Sequence, residues 1–273
     1  MTSLFCCPVC GKALKKNQNC LKCENGHSFD IAKERYTNLL VSGKNSAVSG
    51  DDKEMVKART RFLEGGYYSP LREELCRLTK ELSCENPVIL DSGCGEGYYT
   101  KALSEMAKEQ GGKVCGVDLS KSAIRHASKN CKDAEFSVAS VYHLPLCDNS
   151  IDILVNCFSP MASEEFSRVI KENGYFIYVV PGAKHLWELK SILYDVPYEN
   201  EEKVTEYDGF THIKEVPVDT VFNLNDNADI QALYHMTPYT WTTPKDGAAR
   251  LSDTTSLNVT ASFRVHVYKR TEK

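Results

Sequence analysis

Residues 87–103 read PVILDSGCGEGYYTKAL. The run Val88, Ile89, Leu90 has the unbroken apolar character of a strand buried on both faces, and a helix is predicted from near Tyr98. Between them, Gly93, Gly95 and Gly97 permit a tight turn and a close approach of backbone to ligand. A glycine triplet alone is weak evidence. Here a second strand follows the helix, in KVCGVDLS (residues 113–120), and it ends in Asp118, 25 residues beyond Gly93. That order puts the Asp118 carboxylate at a strand's C-terminal edge, where it can accept hydrogen bonds from both hydroxyls of a ribose. The stretch predicts a nucleotide-binding α/β core.

The turn also discriminates among nucleotides. A dinucleotide fingerprint reads G-x-G-x-x-G and a Walker A loop ends in Lys-Ser/Thr, and GCGEGY fits neither. Asp91, directly before the turn, suits a cationic aminoacyl or sulfonium group better than a diphosphate. These features favour S-adenosylmethionine over NAD or ATP. Towards the C-terminus, AEFSV (134–138) predicts a strand, with Ser140 just past it beside the adenine. SIDILVNCFSP (150–160) predicts a fourth strand and a loop from Asn156 to Pro160. EEFSRVIKENGYFIYVVPG (164–182) gives a helix, a glycine-containing turn and a fifth strand. KEVPVDTVFNL (214–224), the helix-like ADIQALYHM (228–236) and LNVTASFRVHVYKR (257–270) supply the last elements. The expected fold is a Rossmann-like class I methyltransferase with a seven-stranded mixed sheet whose final strand is antiparallel.

The front of the chain differs in character. Five of its 12 cysteines lie within the first 23 residues. Cys7 and Cys10 form the knuckle CPVC, and Cys23 and His27 form C-x3-H, so four soft or borderline donors are available for a closed tetrahedral zinc site. A segment this short buries little apolar surface unaided, which makes a metal staple reasonable. Cys20 offers an alternative set, Cys7, Cys10, Cys20 and Cys23, and a metal-free cluster, redox-active or merely buried, is the third reading. Disulfides are not expected in a reducing compartment. The later cysteines read as small buried side chains.

At 42% hydrophobic and 26% charged residues the composition is that of an ordinary globular protein, which excludes a wholly disordered chain. No apolar run is long enough to span a membrane, and the first residues lack a secretion signal, so a cytoplasmic location without a membrane partner is expected. The net charge of -4 is unevenly spread. Residues 1–72 hold 12 Lys and Arg against 7 Asp and Glu, leaving -9 for the remainder. An acidic average therefore does not exclude RNA. Lys12, Lys15, Lys16, Arg59 and Arg61 are the expected RNA-facing track, with Phe29 and Tyr36 as aromatic surface. VSGKNSAVSGDDK (41–53) reads as a connection, and Asp52 to Leu63 as a helix able to lie over the cofactor cleft. Three units result: residues 1–40, a connector and covering segment over 41–72, and a methyltransferase domain over 73–273.

Across nearly its whole length the chain resembles the RlmA-like 23S rRNA guanine-N1 methyltransferase family. The resemblance is carried by CPVC, C-ENG-H-SFD, AKERYTNLL, GDDKEMVKARTRFLEGGYYSPLR, VILDSGCGEGYYT, PGAKHLWELK and HMTPYTW. It implies methylation of guanine N1 in a domain II hairpin of 23S rRNA, a homodimer, and zinc held by Cys7, Cys10, Cys23 and His27. It also implies cofactor contacts by Tyr68, Glu96, Gly97, Tyr98 and His185, beside Asp91, Gly93, Gly95, Asp118 and Ser140 from the residues themselves. Ser92 stands where relatives often have an apolar residue, and NCFSP replaces a YAP-type loop beside the target base. Transfer is expected to be direct, with no catalytic base assigned; Cys157 lacks the partner that covalent attack requires. A small-molecule or protein methyltransferase, or a noncatalytic RNA-binding adaptor on the same fold, are the alternatives.

Overall fold

The computed structural model describes residues 2–41 and 50–271, so most of the connection predicted over 41–53 lies outside the described residues. Four strands, β1 (Thr2–Cys6), β2 (Ala13–Asn17), β3 (Cys20–Lys22) and β4 (Ser28–Asp30), form an antiparallel sheet in sequential order. β5 (Thr37–Asn38) leaves that module, and the helices α1 (Lys53–Glu64) and α2 (Ser69–Leu82) lead into the core. The core continues through β6 (Val88–Ser92), α3 (Tyr98–Glu109), β7 (Lys113–Asp118), α4 (Lys121–Asn130) and β8 (Ala134–Val138). Then come β9 (Ile151–Cys157), α5 (Ser163–Val169), β10 (Ile170–Pro181), α6 (Trp187–Leu193), β11 (Phe210–Leu224) and α7 (Asn227–His235). A 3-10 turn (Pro238–Trp241), α8 (Lys245–Ser252) and β12 (Leu257–Arg270) complete the chain.

The main sheet runs β11-β12-β10-β9-β6-β7-β8-β5. Strands β5 to β10 run parallel to one another, while β12 is antiparallel to both β10 and β11. The count is eight strands rather than the expected seven, because the front module donates β5 to the edge: Thr37 pairs with Ser137 and Asn38 with Val138. Parallel strands with helices on both faces bury every residue, which explains runs such as Ile153-Leu154-Val155, all 0% exposed. β11, at the other edge, alternates exposed and partly buried residues and accommodates Pro217, as an edge strand can. The turn expected near Gly174 is an irregularity inside β10, with Asn173 at φ 63.

The front module is bound tightly to the core. Phe5, Leu14 and Leu21 share a buried cluster with Val141, Leu144, Leu146 and Leu154. Ser3 Oγ donates to Glu135 at 2.6 Å, and the Cys6 N–H donates to the Pro145 carbonyl at 2.7 Å. That last contact brings Cys6 beside Cys147, and the two form a disulfide, against the expectation of free thiols. Tyr36 is buried in a core cluster with Ile124 and Phe136, and Phe29 is partly buried, so neither forms the expected aromatic surface. Among the described residues no helix is long and apolar enough to cross a membrane.

Candidate active site and metal centre

The two zinc knuckles sit in the β1–β2 and β3–β4 connections. Each is a tight turn: the Gly11 N–H donates to the Cys7 carbonyl at 2.8 Å and the Gly26 N–H to the Cys23 carbonyl at 3.1 Å. One donor atom from each of Cys7, Cys10, Cys23 and His27 lies within 4.8 Å of all the others. Cys7 Sγ and Cys23 Sγ stand 3.5 and 3.4 Å from His27 Nδ1, and Cys10 Sγ stands 3.7 Å from Cys23 Sγ. Bonds of about 2.3 Å to a central ion give tetrahedral edges of roughly 3.8 Å, so the cage has zinc's size as well as its donor set. Cys20 is elsewhere, with Sγ directed to the Asn17 carbonyl at 3.1 Å, which removes the four-cysteine alternative.

The second site lies at the C-terminal edge of β6 and β7. β6 carries Asp91 and Ser92 to the turn, and Gly93, Gly95 and Gly97 all adopt positive φ, at 77, 54 and 89°. A methyl group on Gly93 would overlap the Ser159 side chain, and one on Gly97 would meet Ala127, whereas Gly95 looks out on Arg59. Gly93 and Gly97 thus allow close packing, and Gly95 leaves its face open. The Asp118 carboxylate accepts the Gly95 N–H at 3.0 Å and the Ser120 N–H at 2.7 Å, which fixes it at the mouth of the turn. Ser140 stands beside that strand end, because the preceding residue's N–H donates to the Asp118 carbonyl at 3.0 Å.

This edge is acidic and poorly hydrated. Burial pushes the Asp91 carboxyl up to about 7, against the opposing hydrogen bond from the Thr100 hydroxyl, and nearby Glu96 and Asp118 push the same way. Burial likewise raises Glu96, with Arg59 opposing, and raises Asp118, with the Ser120 and Gly95 N–H groups opposing. Buried carboxylates in one turn favour a cationic ligand and disfavour a diphosphate. The Ser92 Oγ is buried with no hydrogen-bond partner among the described residues. The donor chemistry fits S-adenosylmethionine, whose sulfonium and ammonium are positive and whose ribose offers two hydroxyls.

A cation found at this edge was expected elsewhere. Arg59 pairs with Asp51, sits beside Gly95, and is close enough to Glu96 and Asp118 to be held by their charge. Ser120 Oγ donates to the Asp51 carbonyl at 2.6 Å, so residues 50–64 lie across the cleft as a strap. Arg61 faces the other way and pairs with Asp226 and Asp229, fastening α1 to α7. Arg59 therefore leaves the expected RNA-facing track, while Arg61, half-exposed, is held in ion pairs.

Tyr68 and His185 form a separate group. Tyr68 is buried edge-on to Phe62 and Phe263, and its ring centroid is 6.2 Å from that of His185. His185 accepts the Ser262 N–H on Nδ1 at 3.2 Å, and burial drops its imidazole to about 3. It is therefore neutral across the physiological range, with its proton on Nε2. Tyr98 lines an outer cleft of about 810 Å³, with the Arg72 guanidinium 5.1 Å from its ring centroid. Glu96 and Gly97 line the same cleft.

Comparison with known proteins gives two family matches: residues 5–47 match "RlmA, N-terminal" and residues 90–178 match "Methyltransferase domain". YxjB of Bacillus subtilis (strain 168), whose name carries the 23S rRNA (guanine-N(1)-)-methyltransferase designation provisionally, is 34% identical over 96% of both chains. The 23S rRNA (guanine(748)-N(1))-methyltransferase of Streptomyces fradiae is 33% identical, covering 68% of this chain and 66% of its own length. A Micromonospora griseorubida protein with the same provisional designation as YxjB is 35% identical over 67% of both chains.

Proposed function

The chain belongs to the 23S rRNA (guanine-N1)-methyltransferase family, and from that premise we propose how its residues divide the work of methylating guanine N1 with S-adenosylmethionine. Residues 1–40 grip the RNA around a structural zinc, residues 41–72 cover the cofactor cleft, and residues 73–273 carry the transfer. The target is a domain II hairpin guanine, and the working form is a cytoplasmic homodimer; light scattering of the zinc-loaded chain tests the last point. The observation that carries the cofactor assignment is the acidic turn in which Asp91 and Glu96 are buried and Asp118 is partly buried.

When bound, S-adenosylmethionine supplies an electrophilic methyl group. Asp118 receives the ribose hydroxyls, Asp91 and Glu96 balance positive charge, Gly93, Gly95 and Gly97 admit the ligand against the backbone, and Ser140 borders the adenine. Tyr68, Tyr98 and His185 complete the contacts in this reading. Holding methyl and N1 in line makes attack effectively intramolecular, which supplies much of the rate. N1 must also shed a proton. His185, with its proton affinity reduced to about 3, is a poor acceptor, and Asp118 is engaged by two N–H groups. The role of base is left to no side chain. The test is labelled methyl transfer to unmodified 23S fragments with nucleoside mapping; N1-methylguanine is expected, and label in any other nucleoside or only in small molecules overturns the reading.

For RNA contact, β2 and β3 carry the stronger feature. Lys15 and Lys22 are direct cross-strand partners and both are exposed, an arrangement that costs stability unless an anion lies over it. Lys16 is exposed beside them, and Lys12 pairs with Glu24 at 3.1 Å. Replacing Lys15 and Lys22 together by Glu is expected to weaken RNA binding at least ~10-fold and to flatten its logarithmic salt dependence by about 2, with cofactor affinity unchanged. Filter binding across a salt series checks this; an unaltered slope removes these lysines from the interface.

A further inference from the structure

The sheet order places a crevice at the site. From β6 the chain crosses through α3 towards β7, whereas from β9 it crosses through α5 towards β10, in the opposite direction. Ligands of open α/β sheets enter where such connections diverge, beyond the C-terminal ends of the two strands. The β6 wall of this crevice is the glycine turn. The β9 wall is the loop Asn156–Pro160, whose Ser159 side chain packs against Gly93.

The loop has an unusual construction. Phe158 has φ 55, a left-handed conformation that a bulky side chain adopts only at a cost. The surroundings enforce it. Asn156, fully buried, accepts the Ser159 N–H at 3.2 Å and donates to the Pro160 carbonyl at 3.0 Å. The result is an aromatic ring that is 47% exposed although apolar neighbours lie within reach. It leans on Phe263 and His185, at centroid distances of 5.7 and 6.1 Å, and inclines only 31° from the His185 plane. Other exposed aromatics, Tyr142, Tyr198 and Trp241, lack the left-handed backbone and the contact between the next residue and the glycine turn.

Resting on the methyltransferase reading above, we infer that Phe158 is the stacking platform for the target guanine, holding the unstacked base so that N1 faces the cofactor turn. A base leaving its helix loses its stacking neighbours, and an aromatic face backed by other rings replaces one of them. The neutral His185 behind it keeps the platform uncharged, in keeping with a neutral purine ring. A stack of this kind restrains tilt while leaving the Watson–Crick edge free to react.

The experiment uses the full zinc-loaded chain with an unmodified 23S fragment and the variants Phe158→Ala, Phe158→Trp and Phe158→Gly. Phe158→Ala is expected to lower kcat/KM for RNA by roughly 5- to 150-fold, the range of one lost base–aromatic stack. Cofactor Kd by calorimetry should stay within about twofold, since Phe158 is not among the residues assigned to the cofactor. Phe158→Trp should recover most of the rate. Phe158→Gly should lose activity like Phe158→Ala yet melt no lower than Phe158→Ala, because glycine relieves the left-handed backbone. Unchanged RNA turnover in Phe158→Ala, or failure of Trp to restore it, overturns the platform. An unsubstituted chain that binds cofactor and never methylates RNA removes the methyltransferase reading itself, and the platform with it.

Discussion

Asp91→Asn is expected to make the free protein more stable at pH 8 and its hold on S-adenosylmethionine weaker. The Asp91 carboxyl is buried and raised to about 7, so the folded chain keeps a proton that the unfolded chain releases near pH 4. Folding stability from this group is therefore greatest below pH 4 and falls as pH rises through 7. Taken at face value the window is worth up to about 4 kcal/mol, an upper bound because hydration and the Thr100 hydroxyl soften it. An amide keeps the shape without the charge. Melting curves at pH 5 and pH 8 should show the variant gaining more on the parent at the higher pH. Cofactor binding has the opposite sign. Ionised Asp91 attracts a cation, so affinity should rise with pH through about 7 in the parent and stay flat in the variant, with a loss of roughly 10- to 100-fold at pH 8. Calorimetry in buffers of different ionisation heat should register proton release on binding in the parent. A parent whose affinity is independent of pH between 6 and 8 would separate Asp91 from the cofactor's charge.

Cys23→Ser is expected to be as severe on the other side of the molecule. One lost thiolate breaks a closed four-donor cage, and structural zinc sites contribute about 10–16 kcal/mol of apparent folding free energy in small modules. Hydrogen exchange should show β1 to β4 losing protection, and RNA methylation should fall more than ~10-fold, because the Lys15 and Lys22 face is scaffolded by those strands. Cofactor affinity should change little, since Asp91, Gly95 and Asp118 belong to β6, its turn and β7. Metal analysis of the parent should give one zinc per chain. A Cys23→Ser protein with undiminished protection in β1 to β4 would deny the ion its structural role.

The legible parts of the fold were those with a local physical signature. Val88 to Leu90, the glycines and Asp118 reveal a strand, a turn and a neighbouring strand edge because burial and backbone geometry select those residue types. β5 has no such signature: two residues carry no periodicity, and only pairing with Ser137 and Val138 makes them a strand. Cys6 and Cys147 are 141 residues apart, a separation that spacing arguments cannot bridge. Arg59 was more accessible than its expected role suggested. It shares a helical face with Val56, Phe62 and Leu63, all buried, so the periodicity already placed it inward. Counting cations treats each as solvent-facing, which holds for half-exposed Arg61 but not for Arg59. Phe158 lay in the loop singled out beside the target base, but its left-handed backbone depends on Asn156 bonding across the turn.

The strand β5 has a mechanical consequence. Because the front module is knitted into the main sheet and fastened again at Cys6, its lysine face and the Gly93 turn are held at a set separation. On the proposed division of work, this makes a caliper: with the lysine face on the phosphates and the methyl donor at the Gly93 turn, the hairpin nucleotide that fits the gap would be selected by length before its base is read. Lengthening the stretch between β4 and β5 reaches only the module side of that gap, whereas cutting the β5–β8 pairing would let the jaws drift and spread modification over neighbouring guanines.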